Sequence, residues 1–182
     1  MWLLLSAVVV VLDWWTKGLA SEHLTLYRPL ELTSWLNLTL AHNYGAAFSF
    51  LSDAGGWQRW FLMLVSIAIS LFLLFWLRNI EKDRLHLAIG IALVLGGAIG
   101  NGLDRWRLGS VVDFLEFVPV QFPVFNLADT AINLAVVCLL IDLLRRRPHC
   151  AQELAQLTGC HTHEFLRMGR LESNYLVTRA AL

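Results

Sequence analysis

The chain has 182 residues, of which 57% are hydrophobic and only 15% are charged, whereas about a quarter of a typical globular chain is charged. This composition predicts an integral membrane protein. Basic and acidic residues are equal in number, so the basic footprint of a nucleic-acid-binding protein is absent and no such partner is expected. The three cysteines form no even-numbered framework, which argues against a disulfide scaffold.

Four apolar segments are long enough, or nearly so, to cross roughly 30 Å of hydrocarbon, which takes about 20 helical residues. We predict membrane-spanning helices over residues 2–20, 57–77, 85–103 and 124–144. The first segment lacks the basic start of a cleaved signal peptide and is interrupted by Asp13, so we interpret it as a retained span. In the third, Gly96 and Gly100 form a G-x-x-x-G spacing, which fits ordinary helix packing and an unusually close helix contact equally well.

The basic residues divide unequally between the two ends of these segments. One end holds Arg78, Lys82, Arg84, Arg145, Arg146 and Arg147, and the other holds Arg28, Arg59, Arg105 and Arg107. Basic residues favour the cytoplasmic side. We therefore expect both termini in the cytoplasm, with residues 21–56 and 105–123 facing outwards.

The two outer segments have different patterns. In the first, Leu36, Leu38 and Leu40 alternate with polar residues, which predicts a strand, and residues 43–50 follow with a possible turn into a second strand. We expect a small antiparallel sheet on the membrane surface. The second segment is rich in phenylalanine and bounded by prolines, so we predict that it dips into the interface as a short amphipathic element or flap.

The composition becomes polar after the fourth segment. We therefore divide the chain into a membrane core, residues 1–147, and a cytoplasmic tail, residues 148–182. The tail contains Cys150, Cys160, His161 and His163, but their spacing matches no standard zinc pattern. A solvated, partly helical tail is the default interpretation, and we expect no metal and no cofactor.

Charged residues inside the predicted spans call for an explanation, because they are rare there and usually face the protein interior. Asp13 and Lys17 lie four residues apart on one helix face, so they form either a structural ion pair or a pair that supports a site. Lys17 and Ser21 have the spacing of a Ser/Lys hydrolase. Such a lysine must lose its charge to act as a base, and Asp13 would stabilise that charge.

Further polar residues occur at the ends of spans and strands. Asn43 and Gly45 are typical of a turn, although the Asn43 amide is also suited to holding a substrate backbone. Asn101, Asp104 and Arg105 close the third span, where they either anchor the helix at the interface or belong to a site. Asp104 and Arg105 are adjacent and point in different directions, so each should bind a different neighbour.

Asp113 and Asp129 lie in otherwise apolar surroundings, where an isolated carboxylate is costly. Two carboxylates within hydrogen-bond reach share a proton. One can then act as a general base on water while the other, protonated, polarises a scissile carbonyl. On residue chemistry alone two alternatives remain, an aspartyl hydrolase and a small transporter that couples ions through Asp13, Asp113 and Asp129.

Five motifs together resemble the lipoprotein signal peptidase (signal peptidase II) family. They are D-W-W-T-K from Asp13, N-Y-G-A-A-F-S from Asn43, G-N-G-L-D-R from Gly100, V-V-D-F-L from Val111 and F-N-L-A-D-T-A-I from Phe125. They occur in the family's order and extend to Ile132. The tail and the N-terminus, which lacks the basic residues that often precede the first span, are not covered by the resemblance.

The resemblance implies an aspartyl endopeptidase of the bacterial inner membrane with its site near the outer face. Its expected substrates are diacylglyceryl-modified prolipoproteins, cleaved before the lipid-modified cysteine, and its other partners are membrane lipids and globomycin-type cyclic peptide inhibitors. By position, Asp113 and Asp129 match the catalytic pair. The positions that support or line the site are Asp13, Lys17, Asn43, Gly45, Asn101, Asp104, Arg105, Asn126 and Ala128.

Overall fold

The structure, a computed structural model, describes residues 2–45, 51–52, 55–81, 83–120 and 122–157. Four long helices and three short strands follow one another along this part of the chain. They are α1 (Trp2–His23), β1 (Leu30–Thr33), β2 (Leu36–Asn43), α2 (Trp57–Arg78), α3 (Leu85–Arg107), β3 (Val111–Phe117) and α4 (Leu127–Leu157), with a single 3₁₀ turn at Val118–Val120. The predicted mainly helical fold with a small antiparallel sheet is confirmed.

All four helices are long and apolar enough to cross a membrane, and in α4 the qualifying stretch is Leu127–Arg145. Their bounds differ from the prediction mainly at the ends next to the sheet. α3 continues to Arg107, so Asp104 and Arg105 belong to the helix. α4 begins at Leu127, three residues later than expected, because Phe125 pairs with Leu115 of β3 before the helix starts.

The central helix is α3, which packs against both α1 and α2. Its glycines allow neighbouring backbones to approach closely. A methyl group at Gly96 would lie 2.7 Å from Cβ of Val9 in α1, and one at Gly97 would lie 2.7 Å from the carbonyl oxygen of Ala128 in α4. One at Gly100 would lie 2.6 Å from Oδ2 of Asp13. The G-x-x-x-G spacing therefore marks an unusually close helix contact. At this contact the buried carboxylate of Asp13 packs directly against Gly100.

The sheet has the strand order β1-β2-β3 and is antiparallel throughout. The alternation around Leu36–Leu40 correctly predicted β2, but its neighbours are β1 and β3. The second strand expected within residues 43–50 cannot be compared beyond Gly45, because residues 46–50 lie outside the described part. β1 was missed because its alternation of apolar and polar residues lasts for only four residues, Leu30–Thr33, all of which are exposed.

The segment between the two key aspartates is not simply a flap. Its first half is β3, in which Val111, Val112, Asp113 and Phe114 are buried. The second half returns along the strand, with the backbone N–H groups of Phe114 and Leu115 both donating to the carbonyl oxygen of Phe125. The aromatic residues that suggested an interfacial flap are therefore divided between a sheet strand and the segment that leads into α4.

The chain divides into two compact units, Met1–Leu139 and Leu140–Leu182. All the candidate site residues named from the sequence lie in the first unit. In the second unit the last helix continues to Leu157. The predicted tail cluster of Cys160, His161 and His163 lies outside the described residues.

Candidate active site

The two key aspartates line the same cavity, which has a volume of about 810 Å³. Asp113 lies on β3, opposite Ala41 of β2, and its side chain is almost fully buried, at 2% exposure. Asp129 lies in the first turn of α4 and is half-buried. The strand and the helix N-terminus thus bring together two carboxylates that are 16 residues apart in the sequence.

Asn126 joins the two carboxylates. Its Nδ2 donates to Oδ1 of Asp113 at 2.7 Å, and its backbone N–H donates to Oδ2 of Asp129 at 3.3 Å. In return, Oδ1 of Asn126 accepts the backbone N–H of Asp129 at 2.9 Å. This reciprocal pair is the geometry of a capping box at the start of a helix, so the same residue begins α4 and fixes the distance between the aspartates.

Asn101, on α3, holds the other side of Asp129. Its Nδ2 donates to Oδ1 of Asp129 at 2.8 Å. Its Oδ1 accepts from Nζ of Lys17 at 3.0 Å and from Nδ2 of Asn126 at 3.1 Å. Because two donors face one end of this amide and an acceptor faces the other, its orientation is fixed, and Asp129 is held by N–H groups from two directions.

The environment of Asp113 favours its protonated form. Burial and, to a smaller extent, the nearby charge of Asp129 raise the pKa of this carboxyl group, which stands at about 7. Hydrogen bonds from Asn126 and Asn43 and the charge of Lys17 oppose the shift without cancelling it. A carboxyl group with a pKa near neutrality can hold a proton while a second carboxylate beside it is ionised.

Behind the cavity, Lys17 binds two buried carboxylates. Its Nζ lies 2.7 Å from Oδ2 of Asp13 and 3.0 Å from Oδ2 of Asp104. Asp13 also accepts the backbone N–H of Ala128 at 2.9 Å, and Asp104 accepts that of Val112 at 3.2 Å. An anion at a helix N-terminus is stabilised by the free N–H groups there. This three-residue cluster therefore ties α1 and α3 to the two backbone segments that carry the aspartates.

The Ser/Lys alternative is not favoured by this geometry. The ammonium group of Lys17 is engaged by two carboxylates and by Asn101. Ser21 donates its hydroxyl to the carbonyl oxygen of Lys17 at 2.8 Å and not to the ammonium nitrogen. A lysine held in this way lacks the desolvated, uncharged form that a base requires.

Arg105 and the Asn43–Gly45 turn form the rim of the cavity. Arg105 donates to the carbonyl oxygen of Gly45 at 2.8 Å and to that of Asn101 at 3.2 Å, while Asp104 binds elsewhere, as predicted for this adjacent pair. Oδ1 of Asn43 accepts the backbone N–H of Gly45 at 3.0 Å, and its side chain also bonds to Asp113. Asn43 therefore stabilises the turn and also contacts one of the two key aspartates.

Several cavity-lining residues were not predicted from the sequence. They are Tyr27, Ala41, His42, Tyr44, Ser52, Val111, Phe122, Pro123, Val124, Phe125, Ile132 and Asn133. Asn133 could have been found, because it follows Asp129 by one helical turn and so shares its face. Tyr27 has a left-handed backbone, with φ of 55°, and nothing in its sequence context signals that conformation.

Comparisons with known proteins agree with this arrangement. The family described as signal peptidase (SPase) II matches residues 5–145. A lipoprotein signal peptidase from Acinetobacter baumannii is 51% identical over 152 residues, covering 81% of this chain and 86% of the relative. The chain belongs to the signal peptidase II family. One from Pseudomonas aeruginosa is 46% identical over 154 residues, covering 80% of this chain and 89% of the relative.

Two solved structures have a similar fold. A bacterial membrane enzyme solved by the in meso method at 2.3 Å resolution superposes with a TM-score of 0.70 and 30% identity, covering 80% of this chain and 88% of the other. A second, at 1.9 Å resolution, gives 0.67 and 31%, covering 79% and 92%. Its family and its four apolar helices make the chain a multi-pass peptidase of the bacterial inner membrane, and the family does not support the transporter alternative.

Proposed function

We propose that this chain is an aspartyl endopeptidase that removes the signal peptide from diacylglyceryl-modified prolipoproteins, cleaving before the lipid-modified cysteine. The observation that carries the proposal is the meeting of Asp113 and Asp129 in one cavity, bridged by Asn126. The names of the curated relatives supply the substrate class. The cavity supplies the two carboxyl groups that hydrolysis without a covalent intermediate requires.

The two aspartates take different roles in this proposal. Asp129, held by N–H donors, removes a proton from a water molecule, whose oxygen then attacks the scissile carbonyl carbon. Asp113, which carries the shared proton, donates it to the carbonyl oxygen as the tetrahedral intermediate forms. When the C–N bond breaks, the proton taken up by Asp129 passes to the leaving amine of the modified cysteine, and the proton on the carbonyl side returns to the dyad.

The lining of the cavity suits a lipid-modified peptide. One wall is apolar and aromatic, with Phe122, Pro123, Val124, Phe125 and Ile132. Another part of the lining is polar and includes Asn43 and Arg105, which donates to the carbonyl oxygen of Gly45. Polar groups of this kind orient a peptide backbone and an apolar wall accommodates side chains or lipid. We infer that globomycin-type cyclic peptides compete for this same cavity.

The placement in the membrane is also part of the proposal. The basic residues favour both termini in the cytoplasm, which puts the sheet and the dyad near the outer face. Asp113 follows α3 and Asp129 opens α4, so both lie at the end of the helices that carries the sheet. A substrate whose lipid remains in the bilayer would then reach the dyad at the interface. We retain residues 1–147 as the peptidase core and residues 148–182 as a cytoplasmic tail.

The direct test is a gel-shift assay of a diacylglyceryl-modified prolipoprotein with the purified protein. We expect a shorter product that begins at the modified cysteine, and its loss when globomycin is added. The same precursor without the lipid should remain uncut. Failure to cleave the modified precursor, together with ion or solute flux in sealed vesicles, would return the chain to the transporter class.

The pH dependence of cleavage follows from the dyad. Because Asp113 must be protonated and its pKa is raised to about 7, kcat/KM should fall above neutral pH, by about tenfold per pH unit once deprotonation is complete. On the acid side kcat/KM should fall again as the base becomes protonated, with two apparent values that belong to the pair. Initial rates at low substrate concentration measure this profile, and a constant kcat/KM from pH 6 to about pH 9 would contradict the assigned roles.

A further inference from the structure

A second cavity, of about 440 Å³, lies between the ends of α1 and α3 that adjoin the sheet. It shares no lining residue with the catalytic cavity. β3 separates the two, because Val112 faces the second cavity whereas Val111 and Asp113 face the first, as alternation along a strand requires. Nothing in the proposed cleavage reaction uses this second cavity.

One end of the cavity is apolar and faces the surroundings of the helices. Trp14, Trp15, Leu19 and Leu108 line it and are all exposed. Between them lies Gly18, where an added Cβ would meet no atom within 4 Å. The glycine thus opens a groove on a membrane-spanning helix, bordered by indole rings of the kind that favour the membrane interface.

The other end of the cavity is polar and carries opposite charges. Glu22 and Arg107 both line it and are both exposed. Within the described part of the chain, they form no ion pair with each other and no hydrogen bond through their side chains. Deeper in the wall, the cluster of Asp13, Lys17 and Asp104 has two carboxylates for one ammonium. The polar end therefore presents one free cation next to an excess of negative charge.

We propose that this groove binds a glycerophospholipid whose headgroup carries a primary ammonium. The phosphate group would lie at Arg107, the ammonium at Glu22, and the upper part of one acyl chain against Trp14 and Gly18. Trp14, Gly18 and Glu22 follow one another at intervals of about one helical turn on one face of α1. The contacts to the acyl chain and to the ammonium group therefore lie in that order along the helix. The groove is thus apolar where the chain lies in the bilayer and charged where the headgroup emerges.

The charges select among headgroups. An anionic headgroup such as that of phosphatidylglycerol would satisfy Arg107 with its phosphate but would offer only neutral hydroxyl donors to Glu22, which form weaker hydrogen bonds with a carboxylate than a charged donor does. A trimethylated ammonium has no N–H group to donate to a carboxylate, whereas a primary ammonium has three donors and forms charge-assisted hydrogen bonds. Phosphatidylethanolamine meets both conditions, while phosphatidylglycerol and phosphatidylcholine each meet only one.

The test is native mass spectrometry of the full chain in detergent with equimolar phosphatidylethanolamine, phosphatidylglycerol and phosphatidylcholine of identical acyl chains. We expect the phosphatidylethanolamine adduct to exceed each of the others by about tenfold. Gly18→Leu, which fills the groove, should abolish that preference. Gly18→Ala, whose methyl group meets no neighbour, is the matched control and should lose much less.

Two further variants separate the headgroup contacts from the groove. Glu22→Gln should remove the preference over phosphatidylglycerol, and Arg107→Gln should weaken all three adducts. Cleavage of the modified precursor by Gly18→Leu in lipid-free detergent should remain at the wild-type rate, so the outcome is independent of the proposed peptidase activity. Equal retention of the three lipids by the wild type would overturn the proposal. An undiminished preference in Glu22→Gln together with unweakened adducts in Arg107→Gln would also overturn it, even if Gly18→Leu did not fold.

Discussion

Replacing Asp129 by Asn is expected to lower kcat/KM for the lipid-modified precursor by about 10³-fold or more, because general-base catalysis contributes about 10²–10⁴-fold. The amide can still accept from Asn101, so the cavity should keep its shape, but it cannot remove a proton from water. Asp113→Asn should cause a loss of similar size for the complementary reason. An amide at that position keeps a hydrogen-bond donor yet cannot give a proton to the carbonyl oxygen. The residual rates are measured by the gel-shift assay under single-turnover conditions.

The loss must be separated from unfolding. Both variants should retain a cooperative thermal transition in detergent, and Asp113→Asn should be at least as stable as the wild type at alkaline pH. The wild type buries a carboxyl group whose pKa is raised to about 7. Its stability therefore falls as the pH rises from about 4 to 7, by up to about 1.4 kcal/mol per pH unit. The asparagine has no such dependence, so the difference should vanish in acid.

A matched substitution of an aspartate away from the site controls for the general effect of removing a carboxylate. Asp83 is exposed at the far end of the helices, just before α3, and Asp83→Asn should cleave the precursor at the wild-type rate. If either dyad variant cleaved as fast as Asp83→Asn, the two aspartates would not be the catalytic pair. A loss confined to one of them would identify a single essential carboxylate and exclude the shared-proton mechanism.

The helices could be predicted from the sequence because the length of an apolar segment is enough to identify a membrane-spanning helix. Residues 57–77 and 85–103 were assigned within a few residues of α2 and α3, since nothing but a membrane span accommodates such apolar runs. The ends were less certain. The start of α4 depends on the capping box of Asn126 and Asp129, which is local, and on the pairing of Phe125 with Leu115, which becomes visible only when β3 is in place.

The candidate site was predictable in its residues but not in its connections. Asp13 and Lys17 could be paired from their spacing along one helix. Their partner Asp104 lies 87 positions after Lys17 in the sequence, and only the close approach of α1 and α3 at Gly96 and Gly100 brings it to the ammonium. Long-range contacts of this kind leave no periodic pattern. The phenylalanine-rich segment was misjudged for a related reason, because its strand pairing with β2 is also long-range.

Replacing Lys17 by Met should destabilise the protein strongly. The ammonium is buried between Asp13 and Asp104, whose exposures are 1% and 7%. Removal of one partner from a buried ion pair typically costs about 3–5 kcal/mol, because it leaves an uncompensated charge. Here two carboxylates lose their cation, although each keeps one backbone N–H donor. For a chain of this size we expect the melting temperature to fall by about 10 °C.

The double variant Lys17→Met/Asp104→Asn shows whether charge is the cause. If the loss arises from unpaired carboxylates, removing one of them should restore part of the stability, so the double variant should be more stable than Lys17→Met alone. If Lys17 served only to fill space, the two substitutions would add. Arg78→Met, at the exposed end of α2, is the control for loss of a basic residue and should leave the melting temperature within a few degrees.

Because Asp13 and Asp104 hold the backbones of Ala128 and Val112, Lys17→Met should also slow cleavage at temperatures where the variant is still folded. The cluster would then position the catalytic aspartates without touching the substrate.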